Sequence, residues 1–205
     1  MGKWLSPEGT FMDCLTKATN LVVINLLWLL CCIPVITVGA ATTAMHAMVL
    51  RMDDGGAGDM CRGYFRTFRE KFLRSTVVWM GMLLFAVVVF AEGFYYVHGP
   101  EAGKWILLLP MVVNLFILFT AAYIFPVLAY YQDDLKTAVK RAAFLSVAHL
   151  PYTICILMIS VLPIAFLWLF AGFMKIASYI MLVIGFAFCA WLKSLFFKKI
   201  FQVQK

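Results

Sequence analysis

The sequence predicts an all-α protein: a polytopic transmembrane helical bundle of five to six helices, with a broken first hairpin and a short amphipathic cytoplasmic helix. Three observations lead to it: the composition, the spacing of the charges and the placement of lysine and arginine. Of 205 residues, 64% are hydrophobic and 13% are charged, whereas soluble domains average about 45–50% apolar and about 25% charged residues. A water-soluble fold could not bury so much apolar surface, so we expect one transmembrane domain over residues 1–205.

The charged residues leave five long uncharged stretches. A helix needs about 20 mostly apolar residues to cross a hydrocarbon core about 30 Å thick, and proline divides the longer stretches into parts of about that length. The stretches are Ala18–Leu50, Ser75–Ala91, Trp105–Gln132, Ala142–Met174 and Ile176–Leu192. They predict helical elements near residues 8–33, 39–52, 75–97, 105–131, 147–170 and 176–197. Residues 60–74 are predicted to form a separate interfacial helix, and residues 141–150 a lead-in to the fifth element.

The first stretch contains its own break. Pro34 disrupts a helix interior and pushes Ile33 toward an extended conformation. The β-branched residues at 35–38 also resist helix, and Gly39 permits a turn. This pattern predicts a helix, an extended break and a second helix. The favoured arrangement is a hairpin that crosses twice, with the break as its outer turn; the alternative is a single crossing with a broken, re-entrant end.

Lysine and arginine set the expected orientation. Six of them lie from Arg51 to Arg74, three near residues 132–141, and four in the tail from Lys193. Cytoplasmic loops carry an excess of these residues, so these three regions, and with them the C-terminus, are expected inside. A hairpin at residues 18–50 places 15 of the 17 inside, whereas a single crossing places 13 there. The count therefore favours the hairpin.

The segment Met60–Arg74 predicts a basic amphipathic helix. Cys61, Phe65, Phe68 and Phe72 recur at spacings of four, three and four, which places them on one helix face. Arg62, Arg66 and Arg69 occupy another face. Such a helix beside a membrane span lies most often in the headgroup plane, with its arginines on anionic lipid. The alternative is a docking helix for a cytoplasmic partner such as an ATPase subunit.

Several residues of this first third form a pattern that resembles the YesL-like family of bacterial membrane proteins, whose function is unknown. The pattern is P-x-x-T-x-G-A-x-T-x-A at Pro34, Thr37, Gly39, Ala40, Thr42 and Ala44, followed by F-R-x-F at Phe65, Arg66 and Phe68. The resemblance implies a multi-pass protein of the bacterial cytoplasmic membrane. It also implies an accessory role linked to carbohydrate uptake, with no established activity or catalytic residues.

Three further features are candidates for a polar site. Glu92 is the one acid within an apolar stretch, where a carboxylate indicates function unless it lies at the outer interface. Asn25, Asn114 and Thr120 can hydrogen-bond between helices. Thr42, Thr43 and His46 can share a helix face. The candidate functional residues are Pro34, Thr37, Gly39, Thr42, His46, Arg62, Phe65, Arg66, Phe68, Arg69, Glu92 and Asn114.

The sequence shows no pattern for a catalytic triad, a zinc protease, a Walker loop or a dinucleotide site. None of the six cysteines forms a C-x-x-C pair, so we expect no metal and no cofactor. With no catalytic pattern visible, the resemblance to the YesL-like family implies a non-enzymatic accessory or regulator linked to carbohydrate uptake. Its partners would be the lipid bilayer and an ABC importer subunit or other membrane protein, with no nucleic acid. The alternative function is a small solute transporter or channel.

Overall fold

The computed structural model describes residues 10–52, 60–99, 108–170 and 184–202, and these are almost entirely helical. The seven α-helices in these ranges are α1 (Thr10–Cys31), α2 (Val38–Met52), α3 (Met60–His98), α4 (Leu108–Tyr130), α5 (Leu135–Ala148), α6 (Leu150–Phe170) and α7 (Phe186–Gln202). A 3-10 turn, Val35–Thr37, precedes α2. The predicted helix starts at residues 8 and 105, and the predicted helical residues 176–183, lie outside the described residues.

Several of these helices are long and apolar enough to span a membrane. They are Cys14–Cys31, Val35–Met52 with its leading turn, Met60–His98 and Pro110–Tyr130; α5 and the first part of α6 add a fifth if that bent pair counts as one broken span. The all-helical class is thereby confirmed, along with the presence of several helices of membrane-spanning length and composition.

Helix α3 differs from its prediction in two ways. It is one continuous helix of 39 residues, where two elements were expected, because a change from charged to apolar residues does not by itself end a helix. Its buried face near the start carries Met60, Tyr64, Thr67 and Ser75, while Cys61 and Phe65 are exposed. The residues that pack therefore differ from the predicted aromatic face. The face that packs is the one turned toward α2, not the one with the most aromatic rings.

Helix α5 replaces the expected lead-in at residues 141–150. It starts after Asp134 and ends at Ala148, where His149 leaves the helical conformation with φ −123° and ψ 48°. Helix α6 then begins, with Pro151 in its first turn, a position that tolerates proline because that amide has no helical partner. The two helices meet at 104°. The chain therefore turns sharply at this point.

The buried core lies toward one end of the long helices. One cluster joins Leu50 to the C-terminal part of α4, to α5, and to parts of α6 and α7. A second joins α1, α2, the start of α3 and the start of α7. Beyond this end, large apolar side chains are exposed along α3 from Leu73 to Val97 and along α4 from Met111 to Leu118. The molecule thus has a packed end and an apolar, open end.

A layer of charged residues lies where α3 passes the turn between α4 and α5. Lys71 donates a 3.0 Å hydrogen bond to the carbonyl oxygen of Tyr131, and Arg74 donates one of 2.8 Å to that of Asp133. Arg141 pairs with the Asp133 carboxylate at 3.1 Å and lies 3.9 Å from the centre of the Tyr131 ring. We call Lys71, Arg74, Asp133 and Arg141 the charged layer. It fixes α3 to the turn between α4 and α5.

Candidate functional site: the helix break and the exposed arginines

The break between α1 and α2 is shorter than expected. Only residues 32–34 fall outside helical structure, and Pro34 alone is shown to be extended, at φ −79° and ψ 120°. The expectation that residues 35–38 are extended is wrong: Val35–Thr37 forms a 3-10 turn and Val38 begins α2. The β-branched residues accept helical geometry here because nearby side chains satisfy the carbonyl groups that the break leaves open.

Two side chains supply those hydrogen bonds. The hydroxyl oxygen of Thr37 lies 2.5 Å from the carbonyl oxygen of Cys31 and 2.7 Å from that of Pro34, so its one hydrogen serves both acceptors. The indole nitrogen of Trp79 donates to the carbonyl oxygen of Val35 at 2.8 Å. Backbone groups in hydrocarbon must be satisfied by protein. The break meets that requirement at these three carbonyls.

Gly39 lets α2 approach α3 closely. A methyl group at this position would lie 2.5 Å from the Ser75 carbonyl oxygen and 2.6 Å from Trp79 Cβ, both shorter than van der Waals contact. One turn later, the Thr43 and Ser75 hydroxyl oxygens are 2.8 Å apart in a buried hydrogen bond. Small residues with interhelical hydroxyl bonds are the usual means of close helix packing in membranes. Gly39 is therefore a packing residue.

Thr42, Thr43 and His46 do not form one ligand site. Thr42 accepts a 3.2 Å hydrogen bond from the Trp28 indole on α1, whereas Thr43 faces Ser75 on α3. His46 is buried, and its Nδ1 has no hydrogen-bond partner within the described residues. The three polar side chains therefore serve different contacts, although they lie within five residues of one another in sequence.

The exposed arginines of α3 lie on the outside of the packed end. Arg62, Phe65, Arg66, Arg69 and Glu70 line an open groove of about 560 Å³. Arg66 is 79% exposed and pairs with Glu70 at 2.8 Å, and the ring of Phe65 is 44% exposed among the arginines. We call these five residues the arginine face.

Phe68 lies apart from the arginine face. It is part of the packing: its ring stacks on that of Tyr64 with a centroid distance of 6.5 Å and lies against Phe72 at 5.6 Å. It also packs against the second core cluster. Of the two aromatic residues in the F-R-x-F pattern, only Phe65 is thus available to a partner.

Glu92 and Asn114 form a polar pair at the open end. The Asn114 amide donates a 2.5 Å hydrogen bond to the Glu92 carboxylate and so links α3 to α4. Asn114 also lines a groove of about 430 Å³ whose other lining residues are all apolar. Such a lining offers a solute one polar group. Thr120, by contrast, bonds to Phe116 within its own helix, so its predicted interhelical bond is wrong.

Asn25 was expected to bond between helices, and this is confirmed. Its side-chain oxygen accepts a 2.9 Å hydrogen bond from the backbone N–H of Ala187 in the first turn of α7. Ser75, Trp79 and Tyr64 were not singled out from the sequence, although each hydrogen-bonds to α2 or the break. One signal was present: a tryptophan in an apolar stretch needs a partner for its N–H.

The fold and site define a class: an all-helical protein with several helices suited to a membrane and a tightly bonded helix break. Residues 21–92 match a family model described as "Protein of unknown function, DUF624". The matched segment contains the break, α2, the arginine face and the contacts of Gly39 and Trp79. No curated protein matches the chain, and no solved structure matches it.

Proposed function

We propose that this chain is a multi-pass protein of the bacterial cytoplasmic membrane, with the packed end in the cytoplasm. The apolar side chains exposed from Leu73 to Val97 on α3, and those on α4, suit contact with lipid. The exposed apolar side chains of α3 begin next to the charged layer, so we place the charged layer at the membrane boundary. The positive-inside rule places the arginine-rich side in the cytoplasm. The C-terminal end of α7, with Lys198 and Lys199, lies on that same side.

The function we propose is that of a non-enzymatic accessory protein that binds a cytoplasmic partner through the arginine face. The observation that carries it is the continuity of α3. Arg69, Arg66 and Arg62 lie five, eight and twelve residues before Arg74, or about 7, 12 and 18 Å along the helix at about 1.5 Å per residue. Headgroup regions add only about 5–8 Å on each side of the hydrocarbon core. Arg62 and Arg66 therefore extend beyond the headgroups.

This geometry favours a protein partner over lipid. A helix lying in the headgroup plane would present all three arginines to phosphate groups, but α3 continues from its apolar part as one unbroken helix. Protein interfaces are enriched in arginine and aromatic residues, and Phe65 stands exposed among the arginines. The partner's surface would be acidic, with an apolar pocket for the Phe65 ring.

A link to carbohydrate uptake, and an importer subunit as the partner, are supported by the resemblance to the YesL-like family. Membership of that family stays a prediction. A strain that lacks this protein, grown on a series of single sugars, tests the link: a defect confined to particular sugars supports it. Equal growth of mutant and parent on every sugar would contradict it.

The alternative, a small transporter or channel, has Glu92 and Asn114 as its candidate polar residues. Their hydrogen bond gives each group a partner, and the adjoining groove is apolar apart from Asn114. That lining suits an acyl chain better than a water-soluble solute. Solute flux through liposomes that contain only this protein, lowered by Glu92→Gln, would support transport over the accessory role.

Replacing Arg66 and Arg69 by alanine is expected to lower recovery of the partner in a pull-down by about tenfold or more. Truncating an interface arginine that anchors binding costs about 1–2 kcal/mol or more, and each 1.4 kcal/mol is about tenfold in affinity. The matched control is the double change Lys136→Ala and Lys140→Ala on α5, which also removes two exposed positive charges from this side. Recovery is measured from detergent-solubilised membranes with equal amounts of each variant.

The control variant is expected to keep the partner. Equal recovery with both variants would show that the arginine face does not dock it, and equal loss with both would show a general effect of charge. Loss of bound anionic phospholipid without any loss of protein partner would favour the headgroup alternative.

A further inference from the structure

The depth of the helix break is fixed by its contacts with α3. The Val35 carbonyl accepts its hydrogen bond from Trp79, and Gly39 lies against Ser75 and Trp79. Trp79 lies five residues beyond Arg74 in the charged layer, or about 7–8 Å at about 1.5 Å per residue. It lies 19 residues before His98 at the far end of α3, or about 29 Å.

These distances are incompatible with the break as an outer turn. Tilting α3 by about 40°, the upper end of the range for membrane helices, still leaves about 22 Å between Trp79 and His98 across the membrane. Further along α2, Met48 contacts Gly63 near the start of α3. Helix α2 therefore lies along the first half of α3, mostly beside its charged and cytoplasmic part, and only the break and the first turns of α2 reach the apolar part.

The tip of the break suits hydrocarbon. Ile33, Val35 and Ile36 are 75%, 62% and 58% exposed, and no charged residue lies between Lys17 and Arg51. The carbonyls nearest the tip accept hydrogen bonds from Thr37 and Trp79. Each carbonyl bonded in this way lowers the cost of placing the apolar tip in lipid, where an unpaired backbone group is expensive.

We propose that α1 and α2 form a re-entrant hairpin whose tip enters the acyl chains of the cytoplasmic leaflet and returns without crossing. The count of lysine and arginine does not separate this arrangement from a double crossing, since both place the start of α1 and the end of α2 on the same side. The contacts with Trp79 and Ser75 do separate them. The inference rests on the proposed membrane orientation, and it assigns the apolar tip one partner, the inner leaflet.

The test places a single cysteine at residue 36 in a chain whose six native cysteines are replaced by alanine. Ile36→Cys is compared with His98→Cys, Lys136→Cys and the lipid-facing Val77→Cys. Intact cells and inside-out vesicles are treated with a membrane-impermeant maleimide, and the same variants are spin-labelled in lipid to compare contact with oxygen and with a water-soluble nickel chelate. Because Cys189 is buried, it can be retained if its replacement lowers expression.

We expect residue 36 to show no labelling above the cysteine-free chain from either side, and a spin label there to favour oxygen, as at residue 77. Labelling of Ile36→Cys in intact cells together with His98→Cys would show a crossing hairpin and overturn the inference. Labelling in inside-out vesicles as complete as that of Lys136→Cys would place the tip in water and also overturn it. If Lys136→Cys were labelled in intact cells and His98→Cys only in inside-out vesicles, the proposed orientation would be overturned instead. A spin label at residue 36 that still favoured oxygen would then assign the tip to the other leaflet.

Discussion

Replacing Gly39 by alanine is expected to lower the free energy of unfolding by about 1–3 kcal/mol, the usual cost of inserting atoms into a well-packed contact. The added methyl group would meet the Ser75 carbonyl oxygen at 2.5 Å and Trp79 Cβ at 2.6 Å. Both belong to the helix itself or to the root of a side chain, so neither can turn away. Helix α2 must therefore move from α3, which also strains the Thr43–Ser75 hydrogen bond. Thermal unfolding in detergent, followed by circular dichroism, measures the loss.

The matched control is Gly81→Ala on α3, where an added methyl group meets nothing within 4 Å. Alanine is favoured over glycine in a helix interior by about 1 kcal/mol, so this variant is expected to be as stable as the parent or more so. If both variants unfold at the parent's temperature, the close approach of α2 and α3 is wrong.

Replacing Asn25 by leucine is expected to lower the free energy of unfolding by about 1–3 kcal/mol, the cost of a buried polar group left without a partner. Asn25 is fully buried, and its oxygen accepts the Ala187 N–H at the start of α7. Leucine has a similar size but no acceptor. The Ala187 N–H would then lose this buried acceptor.

A local measurement distinguishes this cause from a general loss of stability. Cys189, two residues after Ala187, is buried in the native protein. In a chain that keeps only this cysteine, Asn25→Leu should speed its reaction with a thiol reagent. Thr19→Val on the same helix is the control, because the Thr19 hydroxyl bonds only within α1 and is exposed. Unchanged reactivity of Cys189 would show that Asn25 does not hold the start of α7.

Much of the fold can be predicted from the sequence because the physical signals are local. Runs without charge locate the apolar helices, and Pro34 locates the break between α1 and α2. The exact form of that break cannot be predicted, because it depends on Trp79, 44 residues away from Val35. Local propensity for extended structure at residues 35–38 is outweighed by that hydrogen bond and by the Thr37 hydroxyl.

The candidate site was predicted in part for the same reason. Asn25 in an apolar stretch signals a hydrogen bond between helices, but its partner lies 162 residues away and no local pattern names it. The face of α3 that packs depends on the small residues of α2, not on its own aromatic spacing. The exposed arginines could be predicted, since their spacing places them on one face of a helix. The proposed projection of that face beyond the membrane could not be predicted, because it requires α3 to be unbroken.

The central claim is that lipid surrounds the apolar half of α3 and that its arginine-rich half lies in the cytoplasm. The most direct measurement compares Arg66→Cys and His98→Cys, each as the only cysteine, for reaction with a membrane-impermeant maleimide. We expect His98→Cys to react in intact cells, and Arg66→Cys to react only when the cytoplasmic side is opened in inside-out vesicles. Reaction of Arg66→Cys in intact cells, or recovery of the chain in aqueous buffer without detergent, would contradict the claim.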